Sequence, residues 1–418
     1  MQDAHPDAHQ LARALARSGA VQRSPDLAGT VRLDISMLYS HPEQASIVRE
    51  HLLAWLERRQ DAFDLIVSPN IASLPLATMA ASALSLPMAY LRPRPKAHGR
   101  RRQVEGVLPE GGRVLLLYAE ILPETPIQEA REIVEANGGT VANVLGLLRD
   151  DRVAVTSLTT HTDVLQALDA EAGRLVPTPT APRALPLPSA DRLERTRERV
   201  AEILLGVGAV MVNAQQPFRY TSGVLSPIYT DNRLLISHPA EWGEIIEGYA
   251  DALATVAGRQ PVDALAGAVT AGLPHGARLA EETGYPLTFV DLGDTEGATD
   301  GLSGRAYGRL RAGERVVMVE DLVTTGKSVF ESAAALRERG ALVDWCLAIF
   351  TYNPEKIGAV LAAEGLGFTV LSDITTLLEV GVRSGQLSEA DRAAVLEWLD
   401  DPQGWSQRAE ERLAAAGA

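Results

Sequence analysis

The sequence predicts an α/β protein built as two tandem domains, each a mostly parallel sheet flanked by helices. Three observations predict it. The chain has 418 residues, more than one typical domain holds. Apolar strand-like runs alternate with helical segments of ten or more residues, the pattern of a parallel sheet covered on both faces. That alternation occurs twice, in the same order, on either side of a proline-rich stretch.

The elements can be justified in order. In the first half RLDISMLYSHPE (Arg32 to Glu43) is matched in the second by YTDNRLLISHPAE (Tyr229 to Glu241). DLIVSPNIASLPLATMAASALSLPMAYLR, from Asp64 to Arg92, parallels DALAGAVTAGLPHGARLAEETGYPLTFVD, from Asp263 to Asp291. Each reads as a strand, a turn of small residues, a helix and a second strand. GGRVLLLYAEILPETPIQEAREIVEANGGTV (Gly111 to Val141) parallels AGERVVMVEDLVTTGKSVFESAAALRERGALV (Ala312 to Val343), a third strand and its helix. Repeats of domain size mean a duplicated domain rather than a solenoid. Between the copies LVPTPTAPRALPLPSA, Leu175 to Ala190, carries five prolines and one charge. Such a stretch favours extended polyproline geometry, reaching on the order of 40 Å at ~3 Å per residue. The expected division is therefore a domain at 1–174, a linker at 175–190 and a domain at 191–418.

Composition narrows the function. A net charge of −15 argues against nucleic acid and anionic membranes as partners. The first residues lack a basic segment followed by an apolar one, and no apolar run approaches ~20 residues, so neither a signal peptide nor a membrane span is expected. A lone Cys346, in the strand-like DWCLAIF, fits a packed thiol in a reducing cytoplasm. The histidines show no metal-ligand spacing. Basic residues are almost all arginine; Lys96, Lys327 and Lys356 are the only lysines.

The chemistry concentrates in VVMVEDLVTTGKSVF, Val316 to Phe330. Glu320 and Asp321 follow an apolar strand, where ligands sit in open α/β sheets. Their carboxylates can accept hydrogen bonds from vicinal ribose hydroxyls or approach Mg²⁺. Thr324, Thr325, Gly326 and Ser328 form a small hydroxylated turn before a helix N-terminus, suited to a phosphate monoester. A nucleotide P-loop needs a glycine five residues before Gly326, and Asp321 stands there.

This stretch resembles the phosphoribosyl pyrophosphate (PRPP) motif of type I phosphoribosyltransferases, from Glu320 and Asp321 through Leu322, Val323, Thr324, Thr325, Gly326 and Lys327 to Ser328. FRYTSGVLSPIYTDNR (Phe218 to Arg233), IFTY (Ile349 to Tyr352), LSDITTLLEVGVRSGQLSEAD and LEWLDDPQGW extend the resemblance, over nearly all of the second half, to the orotate phosphoribosyltransferase family. That family carries a loop of pattern R-x-x-x-K-x-H-G that enters the neighbouring subunit's active site. In the second half its place holds DLGDTEGATDGLSG, acidic and without lysine or histidine. In the first half YLRPRPKAHGRRRQVEG puts Arg92, Lys96, His98 and Gly99 on the four motif positions; Pro93 replaces an often basic residue. Conversely, Tyr118 and Ala119 replace the paired acids in the first half, Pro123 removes a donor and Glu124 would repel phosphate. The expectation is a family dimer fused into one chain, an intrachain pseudo-dimer with one composite site retained.

By resemblance the reaction is PRPP plus orotate giving orotidine 5′-monophosphate and pyrophosphate, with Mg²⁺ carried on PRPP and Asp321 a candidate ligand. Lys96, Arg92 and His98 would stabilise the departing pyrophosphate. Thr270, Ala271 and Gly272, in AVTAGLPHG, fall on the family's pyrophosphate turn. Thr324, Phe218 and Ser222 fall on orotate-contacting positions. Leu225 stands where members often carry a basic residue. Two alternatives remain open: a phosphoribosyltransferase for another base, and a non-catalytic PRPP-sensing regulator on this fold.

Overall fold

The computed structural model describes residues 8–24, 30–92, 103–171, 182–220, 222–293 and 306–416. It contains two six-stranded sheets of the same topology. In the first, β1 (Leu65–Ser68), β2 (Met88–Leu91), β3 (Val104–Gly106), β4 (Arg113–Ile121), β5 (Thr140–Arg149) and β6 (Thr156–Thr160) lie in the order 3-2-1-4-5-6. In the second, β7 (Ala264–Ala268), β8 (Leu287–Val290), β9 (Ala306–Tyr307), β10 (Arg315–Val323), β11 (Leu342–Thr351) and β12 (Gly367–Asp373) lie in the order 9-8-7-10-11-12. All pairings are parallel except those of β3 and β9, the short edge strands, which run antiparallel to β2 and β8.

The duplication extends to register. The pair β4–β5 slips between Val114 and Leu115, and β10–β11 slips at the equivalent point between Val316 and Val317. Strand order reverses between β1 and β4, and between β7 and β10, which opens a crevice at the carboxyl ends of those strands. In the second half that crevice is where Thr270 and Asp321 emerge.

Apolar burial joins the halves. One cluster runs from Leu11, Leu52 and Leu74 in the first half to Trp242, Leu273, Phe289 and Trp405 in the second. The outer sheet faces have separate cores, around Val114 and Leu116 in one half and Val316 and Met318 in the other. The equivalent helices α1 (Leu74–Leu84) and α2 (Gly272–Thr283) pack on each other within the shared core.

Two contacts between the halves match each other, each made by a serine of one half on the edge of the other half's sheet. Ser237 donates to Met88 O and accepts from Val107 N–H, each at 2.8 Å. Its counterpart Ser40 accepts from Arg309 N–H at 2.7 Å and donates to Leu287 O at 3.4 Å. Beside each serine is a glycine in the left-handed region, Gly106 (φ +93°) and Gly308 (φ +95°). A Cβ on Gly106 would come 2.8 Å from Ser237 Oγ, and one on Gly308 would come 2.9 Å from Ser40 Oγ.

The end of the proline-rich stretch lies against the second half, with Arg183 N–H donating to Thr283 O at 2.9 Å, and Ser189 caps a helix starting at Ala190. Cys346 is buried in β11. Among the described residues no helix is long and apolar enough to cross a membrane.

Candidate active site

The strand β10 delivers Glu320 and Asp321 to the crevice. Glu320 is 5% exposed, and its Oε1 is buried with no hydrogen-bond partner among the described residues. Burial, then the neighbouring Asp321 charge, pushes its carboxyl up to about 8. Asp321 is more open, and burial pushes it to about 6 against the pull of the Arg233 guanidinium. The backbone beneath them is pinned from two sides. Tyr249 OH donates to Glu320 O, and Asn232 Nδ2 donates to Asp321 O at 2.7 Å.

Past Val323 the chain turns into α3 (Lys327–Glu338) through Gly326, whose φ of +81° disfavours a side chain. Thr324, Thr325 and Ser328 are exposed around that turn, at the positive end of the helix. Lys327 puts its ammonium 3.8 Å from Glu331 on its own helix. Leu322 is half-buried and Val323 buried, so these two support the turn from below.

Thr270, Ala271 and Gly272 form the turn between β7 and α2, with the Val269–Thr270 peptide cis. A Cβ on Gly272 would come 2.5 Å from Val319 O, so this turn lies directly on β10. Tyr90, from the first half, faces Thr270.

A small hairpin, Phe218–Arg219 paired with Leu225–Ser226, forms another wall. Phe218 packs on Tyr229 with ring centroids 5.7 Å apart, and Tyr352 OH donates to Thr230 Oγ1 at 2.8 Å. Ser222 is exposed in the hairpin turn. Leu225 is buried under α4 (Pro402–Ala416), its N–H donating to Ser406 Oγ at 2.9 Å. A side chain at that position is therefore packed in the core. Arg219, directly across the hairpin, pairs with Glu410 of α4 at 3.0 Å.

From the first half, Arg92 is ion-paired with Glu105, which also binds Arg233 Nη1 at 2.7 Å. Arg233 in turn donates to Asp231 at 2.5 Å. Lys96, His98 and Gly99 fall at 93–102, outside the described residues, as does most of the acidic loop of the second half.

The equivalent place in the first half is closed. Tyr118 is 1% exposed, and burial holds its phenol well above the usual range. Ala119 N–H donates to Ser73 Oγ at 2.9 Å, and Ser73 is itself bound to Asn70 Oδ1. The turn that corresponds to Thr270–Gly272 is thus zipped onto the strand. Where the second half has Leu322, Tyr352 and Ile374, the first has Glu120, Asp150 and buried His161, with His161 Nε2 3.2 Å from Glu120 Oε1.

Sequence reasoning missed Glu105, Asn232, Arg233, Tyr90 and Tyr249. The signal for two of them lay in the repeat itself: Asp-Asn-Arg at 231–233 is matched by Asp-Ile-Ser at 34–36, a change that spares the aspartate alone.

Among the described residues no group of three His, Cys, Asp or Glu is placed to hold a metal ion. The partly exposed Asp321 and the partnerless Glu320 oxygen fit an ion and a polyol brought in together by a substrate.

No family model matches the chain. It is 38% identical to the orotate phosphoribosyltransferase of Coxiella burnetii over 206 residues, 49% of this chain and 96% of that protein. To the enzyme of that name from Enterococcus faecalis it is 35% identical over 216 residues, 51% of this chain and all of the relative. To that of Bacillus caldolyticus it is 37% identical over 206 residues, 49% and 97% respectively. The crystal structure of orotate phosphoribosyltransferase from Aeropyrum pernix is similar over 45% of this chain and 99% of that one, with 29% identity and a TM-score of 0.38. About half of this chain thus matches nearly the whole of each relative.

Proposed function

The chain belongs to the orotate phosphoribosyltransferase family and converts PRPP and orotate to orotidine 5′-monophosphate and pyrophosphate, and from that premise we propose that it does so at one composite site to which both halves contribute. The observation that carries the reading is an asymmetry. The paired acids Glu320 and Asp321 exist only in the second half, and Arg92 of the first half reaches them through the chain Glu105–Arg233.

In this reading Thr324, Thr325, Gly326, Lys327 and Ser328 hold the 5′-phosphate with hydroxyls and helix N–H groups. Glu320 and Asp321 accept from the ribose 2′- and 3′-hydroxyls, and the unpaired Glu320 oxygen supports that assignment. Thr270, Ala271 and Gly272 line the pyrophosphate side. Orotate lies toward Phe218, Ser222 and Thr324. Mg²⁺ carried on the pyrophosphate would offset negative charge there, and Asp321 is the carboxylate that would meet it.

Displacement at the anomeric carbon places positive charge on the ribose and negative charge on the leaving group. Fixed cations from Arg92, Lys96 and His98 are worth more as that charge develops than in the ground state. The assignment of domains follows: 1–174 donates the basic segment, 175–190 joins, and 191–418 holds PRPP and base. A spectrophotometric assay of orotate consumption with PRPP and Mg²⁺ tests the reaction. Lys96→Ala should lower turnover by roughly 10²; near-normal turnover in that variant would sink the composite site.

A further inference from the structure

Neither Glu105, near the end of YLRPRPKAHGRRRQVEG, nor Arg233, the last residue of FRYTSGVLSPIYTDNR, is assigned a substrate contact, yet they form a nearly buried ion pair between the halves. Glu105 is 6% exposed, and the Arg233 side chain is 12% exposed. Glu105 also pairs with Arg92, and the two face each other at the base of the basic segment: Arg92 N–H donates to Gln103 O at 2.8 Å, and Tyr90 pairs with Glu105 in the β2–β3 ladder. On its other side Arg233 binds Asp231 and faces Asp321. Positive and negative groups therefore alternate in one line, Arg92, Glu105, Arg233, Asp231, from the basic segment to the acids.

The plain alternative is an ion pair that only staples the halves together. Pseudo-symmetry argues against it. At the equivalent contact Tyr307 stands for Glu105 and Ser36 for Arg233, with Tyr307 packed on Phe289 and Ser36 N–H bonded to Asp34. That side of the interface closes without the pair, so packing does not require it. Burying two charges is a cost unless each is fully paired. Of the two equivalent contacts, the one beside the intact acids alone bears that cost.

We propose that Glu105 and Arg233 are positioning residues, which fix Arg92 of the first half against the Asp231–Asp321 end of the second. The proposal rests on the composite-site reading. It assigns neither residue a contact with substrate. Removing either charge should leave PRPP bound by the second half while the leaving-group cation is misplaced, which lowers kcat rather than affinity.

The test compares Glu105→Gln, Arg233→Gln and the double variant in the full chain, by steady-state kinetics and by calorimetric titration of PRPP with Mg²⁺. Each single variant should lose roughly tenfold or more in kcat with Kd for PRPP changed less than about threefold, and the double should be no worse than the poorer single, the mark of one coupled unit. Glu105→Asp, which keeps the charge, should recover part of the lost kcat. Equal kcat for Glu105→Asp and Glu105→Gln would overturn the proposal, as would additive losses, which two residues acting as one unit do not give. Should Glu105→Gln fail to fold, the Glu105→Asp and Arg233→Lys kinetics decide alone: unchanged kcat in both refutes positioning. A wild-type chain that forms no orotidine 5′-monophosphate refutes the reaction and this inference with it, whereas an active wild type with an unaffected Glu105→Gln refutes the inference alone.

Discussion

Two adjacent carboxyls at the end of β10 set how the site responds to pH. Burial raises Glu320 to about 8 and Asp321 to about 6, both above their values in an unfolded chain. Folding therefore favours their protonated forms. The stability this contributes is complete below about pH 4 and is lost as pH rises through ~6 and ~8. Without substrate, Glu320→Gln should be more stable than the wild type by on the order of 1–3 kcal/mol at pH 8.5, with the gap closing toward pH 4.5. Denaturant melts at the two pH values measure it, and a gap independent of pH would contradict the burial argument. These acids were legible in the sequence because two charges directly after an apolar strand have few other uses. Glu105 was not, because its meaning comes from a contact with Arg233 across 128 positions in sequence, which no local pattern encodes; Arg233 showed only as a departure between the two repeats.

Among the elements, length decided what could be read. The long strands and helices follow from the alternating pattern, and their repetition in both halves identified them twice over. The edge strands β3 and β9, of three and two residues, are too short for any periodicity and reverse direction only because the chain returns along the sheet edge. Their glycines matter most. Gly106 combines φ +93° with a Ser237 hydroxyl that a Cβ would strike, so Gly106→Ala meets both backbone strain and a displaced interdomain hydrogen-bond pair. A loss of about 2 kcal/mol or more is expected. Gly223→Ala, at φ +87° in the hairpin turn with open space around it, isolates the backbone component and should cost less. Thermal unfolding of the two variants makes the comparison; equal losses would mean the interface contact contributes nothing.

Taken whole, the molecule repeats its sheet topology in both halves but keeps the paired acids in only one. A homodimer of this kind would hold two PRPP molecules. Here buried Tyr118 and Ala119 stand in place of one pair of acids, so calorimetry should find one PRPP per 418-residue chain. Tyr118→Phe should leave that affinity unchanged while Asp321→Asn weakens binding or slows turnover; a stoichiometry of two would show that the first half still binds.

The core shared by the halves also imposes an order on the protein's making. Leu11, Leu52 and Leu74 leave the ribosome before Trp242, Leu273 and Phe289, the residues that cover the same core from the other side, have been synthesised. At ~5–20 residues per second, the remaining chain of roughly 200 residues takes ~10–40 s to appear. For that interval the nascent first half presents an apolar face with no partner of its own chain, the kind of surface that chaperones capture and neighbouring nascent chains misjoin. Translation speed beyond the proline-rich stretch thus becomes a determinant of yield.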